Sequence, residues 1–161
     1  MEFRELIAGF AARYDVAGLT VDARELVALG IGELTIYVQY VSEVARVLVY
    51  ADLGAIPEKG AARFERTMLE ANYLFRGTSG ATLARHPEKG TLFLNWQEGV
   101  RALDVESFCA LIEKFAGLAR TWQELLAEFT AKAAASDEAE APFVDAPPEE
   151  FPPCTSSFLR V

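Results

Sequence analysis

Few residues in this 161-residue chain are of types that carry chemistry. The run Gly77-Thr78-Ser79-Gly80 sets two hydroxyls between two glycines. A phosphate-binding loop needs backbone amides aimed at the anion, usually a lysine, and a helix that begins just after the glycines. Here a helical pattern precedes the run, a strand pattern follows it, and no Gly-Lys-Ser/Thr is present. The run reads as a turn or helix C-cap, with Gly77 supplying left-handed backbone. His86 is the only histidine and precedes Pro87. With no cysteine or serine near it to activate and no second metal ligand, it reads as a solvent-facing loop residue. The carboxylates are scattered. Glu65 and Glu70 share a helix with Arg63 and Arg66, as on an ordinary solvated face, and Glu98 follows a strand end. Cys109 lies in an apolar helical run and Cys154 in a proline-rich one, so no disulfide framework is expected and a reducing compartment fits. No catalytic residue, metal site or cofactor is expected.

Charge and composition narrow the partners. Lys and Arg total 15 against 24 acids, a formal net charge of -9. Such a surface repels nucleic-acid phosphates and anionic lipid, and steers basic polypeptide towards it. At 52% hydrophobic the chain has ample material for one core. The opening MEFRELIAGF mixes acids into an amphipathic pattern and is no signal peptide, and no apolar run is long enough to cross a bilayer. The expectation is a soluble protein that stays in the cell that makes it.

The elements that position these residues follow from periodicity. Phe3, Leu6, Ile7, Phe10 and Tyr14 recur at helical spacing, and Gly18 follows as a stop. From Glu25 to Leu53 the period changes to two, which predicts an antiparallel meander with strands near 25–31, 33–41 and 45–52. Gly30 and Gly32 suggest a tight connection or bulge before the second strand. A helix is predicted over 59–76, with Phe64, Met68 and Phe75 on one side and Leu69 and Tyr73 off that stripe. Strands at 81–85 and 91–97 flank a hairpin turn at Pro87-Glu88-Lys89-Gly90. A long helix opens at Asp104, a plausible N-cap with Ser107 three residues on, and carries the stripe Phe108, Ile112, Phe115, Ala119, Trp122, Leu126 and Phe129. The fold class is α+β: helix, three-strand meander, helix, two strands, long helix, with helices covering an antiparallel sheet.

Two features exceed what one core needs. The strands RVLVYA and TLFLNW are apolar on both sides. Either helices cover both faces of the sheet, or part of this surface waits for another chain. Beyond Lys132 the composition changes, so the division is a domain at 1–132 and an acidic, proline-rich tail at 133–161. The tail carries apolar beads at Phe143, Phe151, Phe158, Leu159 and Val161. Phe151, Phe158 and Leu159 have the character to occupy a groove meant for a client polypeptide, in cis or from a neighbouring copy, as placeholders, and truncation at Ala135 would then tighten client binding.

The run MLEANYLFRGTSGATLARHPEKGTLFLNWQ resembles the central signature of the CesT-type (class I) type III secretion chaperones. The matching positions are Leu69, Asn72, Phe75, Gly77, Gly80, Leu83, Leu92 and Leu94. Ala51 to Pro57 resembles the family's strand-to-turn element, and the Phe108 to Trp122 helix also fits, so the resemblance covers roughly residues 3–130 in order and periodicity. The acidic tail and the Gly30-x-Gly32 connection depart from the pattern. The resemblance implies a small acidic homodimer of the bacterial cytoplasm, without cofactor or catalysis. It would bind the N-terminal region of a secreted effector in extended form and keep it export-competent. Candidate client contacts are Phe3, Ile7, Tyr37, Leu48 and Tyr50. Candidate self-association residues are Phe64, Met68, Leu69, Asn72, Leu94 and Trp96. The alternative reading is a YbjN-like interaction module of the same layered fold outside secretion, and an enzyme using scattered acids ranks third.

Overall fold

Helix α1 (Phe3–Tyr14) forms where four apolar residues return every three or four positions, and Phe3, Leu6, Ile7 and Phe10 are all buried. This computed structural model describes residues 2–135. The Glu2 amide donates to the Glu5 carboxylate at 2.8 Å, satisfying one of the helix's orphan donors. Three strands follow: β1 (Leu26–Ile31), β2 (Leu34–Val41) and β3 (Arg46–Ala55). The tight connection expected from the glycines is a two-residue turn, Gly32-Glu33, with Ile31 opposite Leu34 and Gly32 at φ 65°. The bulge lies elsewhere. It interrupts β3 between Asp52 and Gly54, where Gly54 has φ 120°.

Helix α2 (Ala61–Asn72) is shorter than its apolar stripe suggests. It breaks into a 3-10 turn, Tyr73–Phe75, in which Leu74 and Phe75 take φ of 51° and 55°. The left-handed positions are therefore Leu74 and Phe75, then Ser79 and Gly80, and not Gly77. Gly77 is needed for another reason: a Cβ there would sit 2.7 Å from that of Ala71. Its amide donates to Ala71 (3.0 Å) and its carbonyl accepts from the Trp122 indole (3.1 Å), so the chain is pinned against its own helix and against the last one. Thr78 is fully buried behind this turn, so the hydroxyls of the run do not form an anion cradle.

Strands β4 (Thr82–Arg85) and β5 (Thr91–Gly99) complete a five-stranded antiparallel sheet in the order β1-β2-β3-β5-β4. The last helix, α3 (Val105–Ala135), starts with a reciprocal cap: Ser107 N–H donates to Asp104 (2.8 Å) and Asp104 N–H to the Ser107 hydroxyl (2.9 Å). The Ser107 hydroxyl also donates to the Asp104 carboxylate at 2.6 Å, and this bond, with that from the Ser107 amide, lowers the Asp104 pKa. Helix α1 lies against α3, with Phe10 edge-on to Phe108 at 5.7 Å.

The core lies on one face of the sheet. Val27, Leu29, Leu34, Ile36, Val38, Val47, Val49, Ala51, Leu92 and Leu94 are buried there with the stripes of α1 and α3. Helix α2 sits at the β4 edge and packs Phe64 on Phe129 of α3 at 5.0 Å. The sheet is thus covered on one face only, and the second apolar side of the strands faces outward.

Candidate functional site

The edge strand β1 lies beside an apolar groove. Asp22 bonds both the Leu26 amide and, through its own N–H, the Leu26 carbonyl, both at 2.9 Å, on the side away from β2. Glu25, the residue before, instead accepts from Tyr40. Because antiparallel pairing alternates, the backbone groups of Ala28 and Gly30 also point away from β2. Next to them is a groove of about 490 Å³ between α1, β1 and α3, lined by Phe10, Tyr14, Val16, Leu19, Leu29 and Ile112 among others. The Tyr14 hydroxyl donates to Glu113 across the rim, which raises the phenol's pKa and ties α1 to α3. Arg120 also lies at this rim. A strand edge with unpaired polar groups beside an apolar trough can take an extended polypeptide: backbone to backbone, side chains into the trough.

The uncovered face of the sheet carries an aromatic row. Tyr37 stacks on Tyr50 at 5.3 Å, Tyr50 on Phe93 at 6.4 Å, and His86 lies 5.5 Å from Phe93. Partial burial by these neighbours raises the Tyr50 pKa. Leu48 and Gln39 continue the face beside the row.

The opposite edge, β4, is closed from within. The Asn72 side chain donates to the Leu83 carbonyl and accepts from the Leu83 amide, both at 2.9 Å, so an amide side chain takes the place of a sixth strand. Beyond Asn72 the chain turns outward and leaves Leu69 (70% exposed), Tyr73, Leu74 (68%) and Phe75 on the surface together. Non-glycine residues in left-handed backbone cost about 1–2 kcal/mol each. Here two occur in succession and expose apolar side chains, so the turn is both strained and apolar at the surface.

The predicted contact residues divide between surface and interior. Of the client candidates, Tyr37, Leu48 and Tyr50 share the uncovered face, whereas Phe3 and Ile7 are enclosed in the core, Phe3 stacked on Tyr40 at 5.7 Å. Of the self-association candidates, Leu69 is exposed. Phe64, Met68 and Leu94 are core residues, Asn72 is engaged with Leu83, and Trp96 is half-buried beneath Lys114, 4.9 Å from its ring. Phe75 leaves the buried stripe assigned to it because the helix stops at Asn72. The groove residues Val16 and Leu19 carried no periodic signal because they lie in an irregular segment. Phe93 was legible only as the odd apolar residue of an alternating strand.

His86 does not face a nucleophile. Its Nδ1 accepts from the amides of Glu88 and Lys89, both at 3.2 Å, and so holds the β4–β5 turn. Glu65 pairs across to Arg85 at 3.2 Å and Arg66 with Glu70 at 3.1 Å. Burial raises the Cys109 thiol's pKa. Among the described residues there is no cluster of three or more His, Cys, Asp or Glu able to hold a metal, and no helix long and apolar enough to cross a membrane. The tail candidates Phe151, Phe158 and Leu159 lie outside the described residues.

Solved structures share this architecture. The ExsC–ExsE complex matches at a TM-score of 0.66 and 24% identity, over 77% of this chain and 92% of that one. The HopA1–SchA chaperone–effector complex matches at 0.64 and 15%, over 76% and 93%. The Yersinia pestis type III secretion chaperone SycH, in complex with a stable fragment of YscM2, matches at 0.61 and 16%, over 74% and 98%. No curated protein sequence matches the chain. The model of the Tir chaperone protein (CesT) family matches residues 5–123, and with the helix–meander–helix–hairpin–helix order now seen, the chain belongs to that family.

Proposed function

We infer that this protein is a class I type III secretion chaperone: it binds the N-terminal region of a secreted effector in extended form and keeps it soluble and ready for export. The observation that carries the reading is the open β1 edge beside an apolar groove, in a protomer of the CesT family. Family membership favours this over an interaction module outside secretion. Magnitudes say why both parts of the site are needed. Ordering five client residues costs roughly 5–10 kcal/mol at about 1–2 kcal/mol each. Backbone bonds to Ala28 and Gly30, at about 0.5–1.5 kcal/mol net apiece, do not offset that. Burying apolar side chains in the groove, at roughly 25 cal/mol per Å², must supply the rest.

The protein acts in the bacterial cytoplasm, without catalysis, as a homodimer. The turn patch of Leu69, Tyr73, Leu74 and Phe75 is the self-association surface. Tyr37, Leu48 and Tyr50 extend client contact over the uncovered face. The net charge of -9 keeps the empty dimer soluble and favours basic clients. The test is co-expression with N-terminal regions of proteins exported by the host's secretion system, followed by calorimetry and light scattering. One client segment per two subunits, bound without nucleotide, is the expected result. A monomer with no affinity for any such segment overturns the reading.

A further inference from the structure

The β1 groove is almost wholly apolar: of the described side chains that line it, only Tyr14, Glu113 and Arg120 are polar. Tyr14 donates its hydroxyl to Glu113. Arg120 is exposed and, among the described residues, has no hydrogen bond or ion pair. Helix α3 and strand β1 run in the same sense. Strand β3 begins beside the residues that lead into α3, where the Val100 amide donates to Ala45 at 3.1 Å, and passes Gly54, where an added Cβ would meet Leu126 of α3 at 3.5 Å. Strand β1 is parallel to β3 through their shared antiparallel neighbour β2. Arg120 therefore stands towards the Ile31 end of the groove and Glu113 towards the Leu26 end. Ile112, Ala116 and Arg120 all line the groove and follow one another at single helical turns, about 6 Å per step. A β-strand returns side chains to one face every two residues, about 6.6–6.8 Å. The wall of α3 and a strand added to β1 thus keep nearly the same step, in the order apolar, apolar, cationic.

We propose that Arg120 is the specificity-determining residue of this groove: the segment it selects is extended, with two apolar side chains and one carboxylate at alternate positions, the carboxylate against Arg120. The proposal rests on the reading of the β1 edge and its groove as the client site. A segment that adds parallel to β1 carries the acid last, apolar-x-apolar-x-acid, and one that adds antiparallel carries it first. The guanidinium offers a carboxylate two parallel N–H donors, repels a cation, and leaves donors unmatched beside an apolar side chain. Glu113 repels a carboxylate at the other end, so the acid is confined to one position of the segment. The net charge of -9 draws basic segments from a distance, whereas Arg120 acts at contact, inside a Debye length of about 8–10 Å, and decides which of them seats.

A displayed library of random twelve-residue peptides, panned on the full chain, is the probe. The enriched peptides should carry two apolar residues at alternate positions with Asp or Glu two residues beyond them, on one side only. Synthetic versions are then compared by fluorescence anisotropy. Replacing that acid by Lys should weaken binding to the wild-type chain about fivefold to tenfold. Arg120→Glu should reverse the preference, and Arg120→Lys should keep its sign. Arg120 is exposed, so these changes leave the core intact, which circular dichroism checks. Ala28→Pro should weaken the enriched peptides, which places them at the β1 edge. Enriched peptides without an acid at that position, or a preference that Arg120→Glu leaves unchanged, would overturn selection by Arg120 while the groove remains the client site. Affinity indifferent to Ala28→Pro, or a panning that enriches nothing, would overturn the client site at β1 and the proposal with it.

Discussion

The two edges of the sheet handle the same liability in opposite ways. Both β1 and β4 present a row of backbone donors and acceptors with no neighbouring strand. At β4 the protomer answers with its own residue: Asn72 satisfies Leu83 in both directions, and the strand is only four residues long. At β1 only Leu26 is satisfied, by Asp22, and Ala28 and Gly30 point outward beside an apolar groove. With one edge closed by its own side chain, the protomer has the β1 edge available for pairing. Under the proposed function the difference also separates the two kinds of partner. The closed edge runs on into the exposed turn suited to a second copy, and the open edge suits an extended chain.

The largest expected effect comes from undoing the closure. Asn72→Ala leaves the Leu83 amide and carbonyl without partners and should cost about 1–3 kcal/mol in urea unfolding, with concentration-dependent association as the new edge opens. Unchanged stability would mean the Asn72 bonds contribute nothing to the protomer.

Next is the open edge. Ala28→Pro removes an outward N–H and no ladder bond, so it should weaken effector binding about tenfold, or about 1.4 kcal/mol, with a smaller loss of stability. Calorimetry showing the wild-type affinity would remove strand addition at β1 from the mechanism.

A third change sharpens the contrast at the turn beyond Asn72. Leu74→Gly relieves the left-handed strain and should raise protomer stability by up to about 1 kcal/mol while weakening self-association, read by light scattering against a thermal melt. A dimer of undiminished strength would place the interface elsewhere.

The smallest effect is a control remote from both edges. The Ser107 bonds depress the Asp104 pKa, so their stabilisation is present above the unfolded value of about 3.9 and is lost as pH falls through the lower folded value. Melts of Asp104→Ala between pH 6 and pH 3 should lose this component of the pH dependence while client affinity at neutral pH stays as in wild type.

Much of the fold was legible in the residues. The α1 stripe, the alternation of β2 and β3, the Gly32 turn and the Asp104–Ser107 cap were all readable because each rests on contacts within a few positions. The site was legible only in outline. The two-sided apolar strands announced a surplus of apolar surface, and Tyr37, Leu48 and Tyr50 do lie together on it. Phe3 and Ile7 were misplaced because periodicity marks which residues of a helix share a face, not whether that face meets a core or a partner. The turn at Leu74 and Phe75 escaped because the apolar spacing runs on unbroken after the backbone has left the helix. The rest of the groove came from Val16 and Leu19, whose loop has no period to read.

The amino-acid order alone determined the elements, their caps and their apolar faces, since these depend on neighbours within one or two turns. Only the tertiary structure decided which edge is open. That depends on β5 pairing with β3, Arg46 opposite Gly99, across more than fifty residues of chain, and on α2 coming to rest where Asn72 meets Leu83. Neither placement follows from local spacing, because long-range pairing is chosen by how the whole apolar surface is best enclosed.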